Sequence, residues 1–325
     1  VANMIDWNSA FVRQCPKLGI QSFQKNGVRN SIIPLLVSYF QERYQTVKWR
    51  GFNSSPKIVN GGGPQGATLG ILEYLSQSNN SADCVNSEDR FKFVDDLTIL
   101  EIVNLLTIGI SSFNFRQEVP NDIGENNLYI PPENLKSQEH LDSINLWTKN
   151  QKMKIYQSKT KTMIFNHTNN FQFNTRLKLD NQILETVNQT KLLGTIITND
   201  LKWDSNVNNI VKKAYARMEL LRKLVKFKPP KKDLKQVYIA YVRSLLEHSC
   251  TVWHSGLTDQ NSNDLERVQK VALRLILNDQ FKNYDQALIY LDLEKLSARR
   301  EKLSLAFAQK CLKNPKMRKT ISPKH

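Results

Sequence analysis

The stretch Phe91-Lys92-Phe93-Val94-Asp95-Asp96-Leu97-Thr98-Ile99-Leu100 decides the fold of the first half of the chain. Apolar residues on both sides of the two acids predict two short strands, with the acids where the chain turns. Acids are common in turns, because Asp tolerates turn dihedral angles and can bond its own backbone. Two adjacent carboxylates also repel each other, and a divalent cation would remove that conflict. The pair is therefore either a solvated turn or part of a metal site.

The charge of the chain is concentrated in its second part. The 325 residues include 46 Lys and Arg against 30 Asp and Glu, a net charge of +16. Residues 201–325 alone contain 26 bases and 12 acids. Such a surface favours a polyanionic partner, with nucleic acid first and an anionic membrane surface second. The alternative is a lysine-rich surface that is simply solvated.

Composition excludes several classes of protein. With 40% hydrophobic and 23% charged residues, the chain is typical of a globular protein and not of a disordered tail. Its four scattered cysteines form no Cys-x-x-Cys pair, which predicts free thiols in a reducing compartment. No apolar run reaches membrane-spanning length and no signal peptide is recognised, so we expect an intracellular, non-secreted protein without a membrane partner.

The hydrophobic pattern predicts two domains, over residues 1–199 and 200–325. The first is α+β, with a largely antiparallel sheet flanked by helices over residues 16–25, 31–43 and 137–148, and with a strand over residues 44–49. Residues 101–135 carry no clear period and predict a loop-rich insertion. After Trp203, apolar residues recur at three- and four-residue steps, which predicts a basic, all-helical second domain.

Two further motifs precede the Asp95-Asp96 turn. Asp6 follows the apolar pair Met4-Ile5, where a sheet would hold a metal ligand still; the alternative is a helix N-cap. The loop Gly61-Gly62-Gly63-Pro64-Gln65-Gly66 opens a predicted helix and could cradle phosphates, although it lacks the Gly-Lys-Ser/Thr ending of a P-loop. A plain helix entry is the alternative.

The first helix of the second domain carries a row of basic side chains outside its apolar stripe: Lys212, Lys213, Arg217, Arg222 and Lys223. They are either a solvated surface or a track for phosphates, and their density favours the track. In the first domain, three carboxylates could hold two divalent metals, the arrangement that nucleotidyl transfer requires. Whether Asp6 lies beside the acid pair depends on which strands are neighbours, and the sequence does not decide that.

Taken in order, these motifs resemble those of reverse transcriptases. The likeness rests on Met4-Ile5-Asp6-Trp7 with Ala10-Phe11, on Gly63-Pro64-Gln65-Gly66, and on Phe93-Val94-Asp95-Asp96. Lys159-Thr160 and Leu192-Leu193-Gly194 are similar to the family's later lysine motif and primer-gripping hairpin. In sequence, these motifs most resemble those of non-LTR (LINE-type, jockey-like) retrotransposon polymerases.

The resemblance implies a polymerase palm over residues 1–199, with partial fingers elements, and a helical thumb over residues 200–325. It implies that two Mg²⁺ ions are bound by Asp6, Asp95 and Asp96, and that Lys159 approaches the triphosphate. Nucleotide contacts would come from Phe11, Pro64, Gln65 and Gly66, and the basic helix would follow an RNA/DNA hybrid. The implied partners are an RNA template, a DNA primer and deoxynucleoside triphosphates, in a nuclear or cytoplasmic ribonucleoprotein.

The chain also departs from the family pattern. Related elements usually carry Lys where Ser9 stands and Asp where Val12 stands. The chain begins at the first acidic motif, so we expect the family's fingers to lie upstream. An inactive remnant that only binds nucleic acid is therefore the alternative to an active polymerase. A basic helical scaffold joined to an unrelated α/β domain would require the ordered motifs to coincide by chance.

Overall fold

The computed structural model describes residues 1–64, 66–103, 127–166, 172–315 and 317. The chain divides into two compact units, Val1–Val187 and Asn188–His325. The division falls before a short hairpin over residues 189–198, which lies inside the first domain as predicted over residues 1–199. None of the helices in these ranges combines the length and the hydrophobicity that crossing a membrane requires.

The first unit mixes helices with short strands, an architecture compatible with the predicted α+β class. Its helices are α1 (Pro16–Lys25), α2 (Ile33–Phe40), α3 (Thr68–Ser78) and α4 (Lys136–Asn150), with a 3₁₀ turn at Pro132–Asn134. Its strands are β1 (Ala2–Ile5), β2 (Tyr44–Gln45), β3 (Lys48–Trp49), β4 (Phe52–Asn53), β5 (Lys57–Ile58), β6 (Arg90–Phe93), β7 (Asp96–Leu100), β8 (Asn127–Tyr129), β9 (Lys161–Met163), β10 (Gln172–Asn174), β11 (Lys178–Leu179), β12 (Gln182–Ile183) and β13 (Glu185–Thr186).

A five-stranded sheet in the order β13-β9-β1-β7-β6 organises this unit. Strand β1 lies in the middle and runs antiparallel to both β7 and β9, and β6 pairs with β7 as the predicted hairpin. Within this five-stranded sheet, only the edge pair β13–β9 is parallel. The core under the sheet includes Ile5, Leu97 and Ile99, and the apolar face of α4 covers them through Leu141 and Ile144.

Several predicted elements differ from the structure at their ends. The helix over residues 16–25 is confirmed, and the helix of residues 137–148 extends by a residue or two at each end. The helix expected over 31–43 is shorter, Ile33–Phe40, and these bounds coincide with the residues that pack into a small core, from Ile33 through Leu36 and Val37 to Phe40. The strand expected over 44–49 is broken into β2 and β3. Most of the insertion predicted near residues 101–135 lies outside the described residues.

The second unit is a helical assembly preceded by one hairpin. The hairpin strands are β14 (Gln189–Leu192) and β15 (Thr195–Thr198), and the helices are α5 (Asp204–Val225), α6 (Lys231–Val237), α7 (Ser244–Leu246), α8 (Cys250–Trp253), α9 (Asp259–Leu277), α10 (Tyr284–Tyr290) and α11 (Leu296–Lys313). A π-helical segment, Tyr238–Arg243, joins α6 to α7. The predicted stripe of α5 is buried at Val207, Ala214, Met218 and Leu221, and it packs mainly against α9.

Candidate active site

Asp6 and Asp96 stand at adjacent ends of two paired strands. Ile5 of β1 pairs with Leu97 of β7 in antiparallel register. Asp6 follows Ile5 and Asp96 precedes Leu97, so the two acids lie next to each other. Ile5 and Leu97 are almost fully buried and fix this register, since a slip of one residue would expose both. Asp95 lies in the turn directly before β7. The fold therefore places all three predicted acids at one edge of the sheet.

The three carboxylates act on one another electrostatically. Burial raises the pKa of Asp6, the ammonium of Lys159 lowers it, and Asp95 raises it further. Burial also raises the pKa of Asp96, and the charges of Asp95 and Asp6 add to that rise. Mutual repulsion of this kind favours either a bound proton or a bound cation.

The segment around Thr160 holds the backbone of Asp6 in place. The amide of Tyr156 donates to the carbonyl oxygen of Asp6 at 2.7 Å, and the amide of Asp6 donates to the Thr160 hydroxyl at 3.3 Å. An isolated bridge between Trp7 and Ile155 continues this contact. Asp6 is thus fixed between β7 on one side and residues 155–160 on the other.

Lys159 lies on this same segment, and its positive charge acts on Asp6. Its Nζ lies 4.6 Å from the centre of the Tyr156 ring, within range of a cation–π interaction. The positive charge of its ammonium lowers the pKa of Asp6. The predicted lysine and the first predicted acid are therefore neighbours, although the sequence separates them widely.

The turn that carries Asp95 is strained. Phe93 pairs with Asp96, which leaves Val94 and Asp95 as a two-residue connection between β6 and β7. Val94 adopts a φ of +57°, a region that β-branched residues avoid. Strain of this kind costs on the order of 1–3 kcal/mol and clusters at functional sites, where the surrounding structure imposes it.

The carboxylates supply the oxygen ligands that Mg²⁺ prefers. Among the described residues, however, no three His, Cys, Asp or Glu side chains are arranged so that they could hold a metal ion. The donor chemistry and the electrostatic repulsion suit a divalent cation, but binding one would require the three carboxylates to draw together. Their exposed position at the sheet edge leaves Asp95 and Asp96 room to do so.

The glycine-rich loop packs against the segment that follows Asp6. The amide of Gly63 donates to the Phe11 carbonyl at 3.0 Å, and the amide of Gly62 donates to the Gln14 carbonyl at 2.8 Å. Gly62 has a φ of +78°, and a Cβ there would stand 3.0 Å from the carbonyl oxygen of Val12. Glycine is required at this position by both the backbone angle and the close approach.

A cavity of about 230 Å³ opens beside this loop. Its lining is formed by Phe11, Gln14, Gly63, Pro64, Gly66 and Gly70, with Ile71 at the start of α3. Three of the four predicted nucleotide contacts, Phe11, Pro64 and Gly66, therefore share one cavity. The fourth, Gln65, lies outside the described residues.

Sequence reasoning missed a buried aromatic residue between these two groups of residues. The Tyr74 ring is fully buried on α3, 4.8 Å from the Phe11 ring. Burial raises its pKa, and the charges of Asp95, Asp96 and Asp6 raise it further. Tyr74 thus contacts the cavity residue Phe11 and also interacts electrostatically with the carboxylates. In the sequence it is one of several apolar residues of a helix, and nothing there distinguishes it.

Glu73 and Gln14 were missed as well. Glu73 is fully buried beside the glycine loop, and neither of its carboxyl oxygens has a hydrogen-bond partner among the described residues. Gln14 donates to the carbonyl oxygen of Gly70 at 3.2 Å, and its own oxygen is left without a partner there. Neither position carries a motif that would have revealed it.

In the second unit, the basic row on α5 is only partly available. Lys212, Lys213 and Lys223 are exposed and form no ion pair with the described residues. Arg217 donates to the Tyr241 carbonyl at 2.9 Å and stacks 4.9 Å from that ring, and Arg222 pairs with Glu219. Two of the five predicted cations are therefore held by the protein itself.

The hairpin of the second unit has a tight tip. Leu193 and Gly194 both have positive φ, +47° and +91°. The Nε2 atom of His248 lies 3.3 Å from the carbonyl oxygen of Leu193, and a Cβ on Gly194 would stand 2.8 Å from that same nitrogen. The glycine of the Leu-Leu-Gly motif thus allows His248 to pack against the tip.

Comparison with known proteins points to the same family as the motifs do. No family model matches the chain. A curated relative from Drosophila melanogaster, described as a probable RNA-directed DNA polymerase from transposon BS, is 24% identical over 252 residues. The match covers 74% of this chain, which spans about a quarter of the relative's length (25%). This likeness supports placing the chain in a reverse transcriptase family.

Proposed function

We propose that the chain is the palm and thumb of an RNA-directed DNA polymerase that extends a primer on an RNA template. The observation that carries this proposal is the register of β1 with β7, which brings Asp6 next to Asp96 and the Asp95 turn. The curated relative's description points to the same chemistry. The non-LTR, jockey-like subtype is part of the proposal and rests on the residues of the motifs.

In this proposal Asp6, Asp95 and Asp96 hold two Mg²⁺ ions. Metal ions in such a pair activate the attacking oxygen, stabilise the leaving one and offset phosphate charge. Lys159 stands beside Asp6, as a residue that approaches the triphosphate should.

The cavity beside the glycine loop would take the nucleotide. Phe11 forms part of its lining and would exclude a 2′-hydroxyl by contact, while Pro64, Gln65 and Gly66 would line the nucleotide and the template. The exposed Lys212, Lys213 and Lys223 would follow the phosphates of the hybrid, with Arg217 and Arg222 freed from their present partners.

Primer extension tests the proposal directly. The 325-residue chain is given an RNA template, a DNA primer, deoxynucleoside triphosphates and Mg²⁺, beside Asp95→Asn and the control Asp142→Asn, an exposed acid on α4. We expect extension by the parent and the control and none by Asp95→Asn. Equal extension by Asp95→Asn would show that the acids are wrongly assigned.

A second measurement separates the polymerase from the inactive remnant. Binding of Mn²⁺, followed by its paramagnetic broadening of nearby resonances, should weaken in Asp95→Asn and persist in Asp142→Asn. A chain that binds nucleic acid in a salt-dependent way but neither extends a primer nor binds Mn²⁺ at these acids is the remnant. The departures at Ser9 and Val12 are the observation that favours this second candidate.

A further inference from the structure

Residues 44–58 form a two-stranded ribbon in the first unit, called here the 44–58 ribbon. Strand β2 pairs with β5 and β3 pairs with β4, and the amide of Ser54 donates to the Val47 carbonyl at 2.9 Å between the two pairs. At the tip, Arg50 and Gly51 both have positive φ, +45° and +87°. Two such angles are the pattern of a type I′ hairpin turn, which makes the tip tight.

The ribbon presents large apolar side chains to solvent. Every residue from 44 to 58 is exposed, including Trp49 at 71% and Phe52 at 81%. These two residues are directly paired across β3 and β4, so their rings emerge on one face. A lone two-stranded hairpin is at best marginally stable in water, and exposed apolar groups of this size mark interaction surfaces.

The same ribbon is uniformly basic. No acidic residue occurs between Glu42 and Glu73, whereas Lys48, Arg50 and Lys57 lie on the ribbon itself. None of these three cations forms an ion pair with a described residue. The Arg50 guanidinium lies 5.6 Å from the centre of the Trp49 ring, so cation and ring already stand together.

We propose that the 44–58 ribbon binds single-stranded nucleic acid, with unpaired bases stacking on Trp49 and Phe52 and phosphates contacting Lys48, Arg50 and Lys57. A ligand of this surface must present flat apolar faces and negative charge in close alternation, and a single strand does so. A duplex does not fit, because its bases are stacked on each other and their faces are hidden. A protein strand would gain little from the lysines, which discourage edge pairing. The proposal holds whether or not the chain polymerises nucleotides.

Fluorescence reports on the ribbon itself. Trp49 is exposed, whereas Trp147 and Trp203 are half-buried and Trp7 and Trp253 are buried. We expect an unstructured oligonucleotide of about 15 nucleotides to quench the parent protein and to quench Trp49→Phe much less. This readout does not depend on contacts elsewhere on the chain.

Affinity gives the matching measurement by anisotropy of a labelled oligonucleotide. Trp49→Ala combined with Phe52→Ala should weaken binding about tenfold or more. Tyr290→Ala, which removes another largely exposed aromatic ring, on α10, should leave it unchanged. Changing Lys48, Arg50 and Lys57 to Gln should reduce the salt slope by about 2, because each phosphate contact on a single strand contributes about 0.7. The variant with three Gln substitutions keeps the test decisive if the double alanine variant misfolds.

Three outcomes would overturn the proposal. One is unchanged oligonucleotide affinity in both ribbon variants, together with no Trp49 quenching. Another is that Trp49 emission responds to anionic vesicles and not to the oligonucleotide, which would assign the ribbon to a membrane surface. The third is that the parent self-associates while the ribbon variants are monomers of unchanged oligonucleotide affinity, which would assign it to a second copy of the chain.

Discussion

Replacing Glu73 by Gln should make the protein more stable above about pH 4.5, by an amount that grows until about pH 7 and then stays constant. Glu73 is fully buried on α3, close enough to α1 that a Cβ on Gly19 would stand 2.7 Å from its Cγ. Burial raises its pKa to about 7 despite an opposing effect of Arg43. The amide of Gln has nearly the shape of a protonated carboxyl group but cannot ionise, so Glu73→Gln removes the charge and little else.

The magnitude follows from the shift in pKa. The ordinary value is 4.5, so Glu73 holds its proton in the folded state over a range where the unfolded chain has lost it. Stability from this group is complete below pH 4.5 and is lost as pH rises through about 7. At about 1.4 kcal/mol per pKa unit, the full loss is at most about 3.5 kcal/mol.

Urea denaturation at several pH values between 5 and 8 measures this difference. The free energy of unfolding of Glu73→Gln should exceed that of the parent by about 1 kcal/mol or less at pH 5 and by about 3 kcal/mol at pH 8. Glu139→Gln, an exposed glutamate on α4, serves as the control and should show no such divergence. Because the chain has two compact units, unfolding is followed by probes in each, and the effect is expected in the first.

The reasoning would be refuted by a difference between Glu73→Gln and the parent that stays constant from pH 5 to 8. A variant less stable than the parent at pH 8 would refute it too. Either result would mean that the Glu73 carboxylate is stabilised in the folded state, by solvent or by Arg43, and is not strained by burial.

Three other changes test the site and the core. Gly62→Ala should destabilise the first unit by about 1–2 kcal/mol, since the positive φ and the Val12 carbonyl both oppose a Cβ; an unchanged melting temperature would contradict this. Asp95→Asn should lower the raised pKa of Asp6, because it removes a repelling charge. The carboxyl chemical shift of Asp6, measured against pH, reports this pKa. An unchanged pKa in the variant would mean that the two groups do not interact. Met218→Ala should destabilise the second unit by about 2–5 kcal/mol, because Met218 is fully buried on α5, and a loss below about 1 kcal/mol would mean that this core collapses around the gap.

Local pattern was enough to predict much of the fold. The apolar residues around Asp95-Asp96 predicted β6 and β7, and the stripe of Val207, Ala214 and Met218 predicted α5. These elements are specified by neighbours a few residues apart, whose periodicity reveals the buried face. The ordered acids and the glycine loop were also visible, and they pointed to the family that the comparison supports.

Local pattern was misleading where burial was missing. Tyr44 to Trp49 alternates like a strand, yet its residues lie in an exposed ribbon and join none of the hydrophobic cores of the described residues. The helix predicted over residues 31–43 ends early for a related reason, since only part of it meets a partner. Alternation predicts the shape of a segment, but it does not say whether anything packs against it.

The sequence by itself determined which residue types were available for chemistry: three acids, a lysine, a glycine loop and a basic helix. Only the tertiary structure decided that Asp6 is beside Asp96, that Lys159 lies near Asp6, and that Glu73 is buried without a hydrogen-bond partner among the described residues. The physical reason is that strand order and burial arise from contacts between segments that are far apart in the sequence. Forming these contacts depends on the whole core, and they produce no periodic pattern in the sequence.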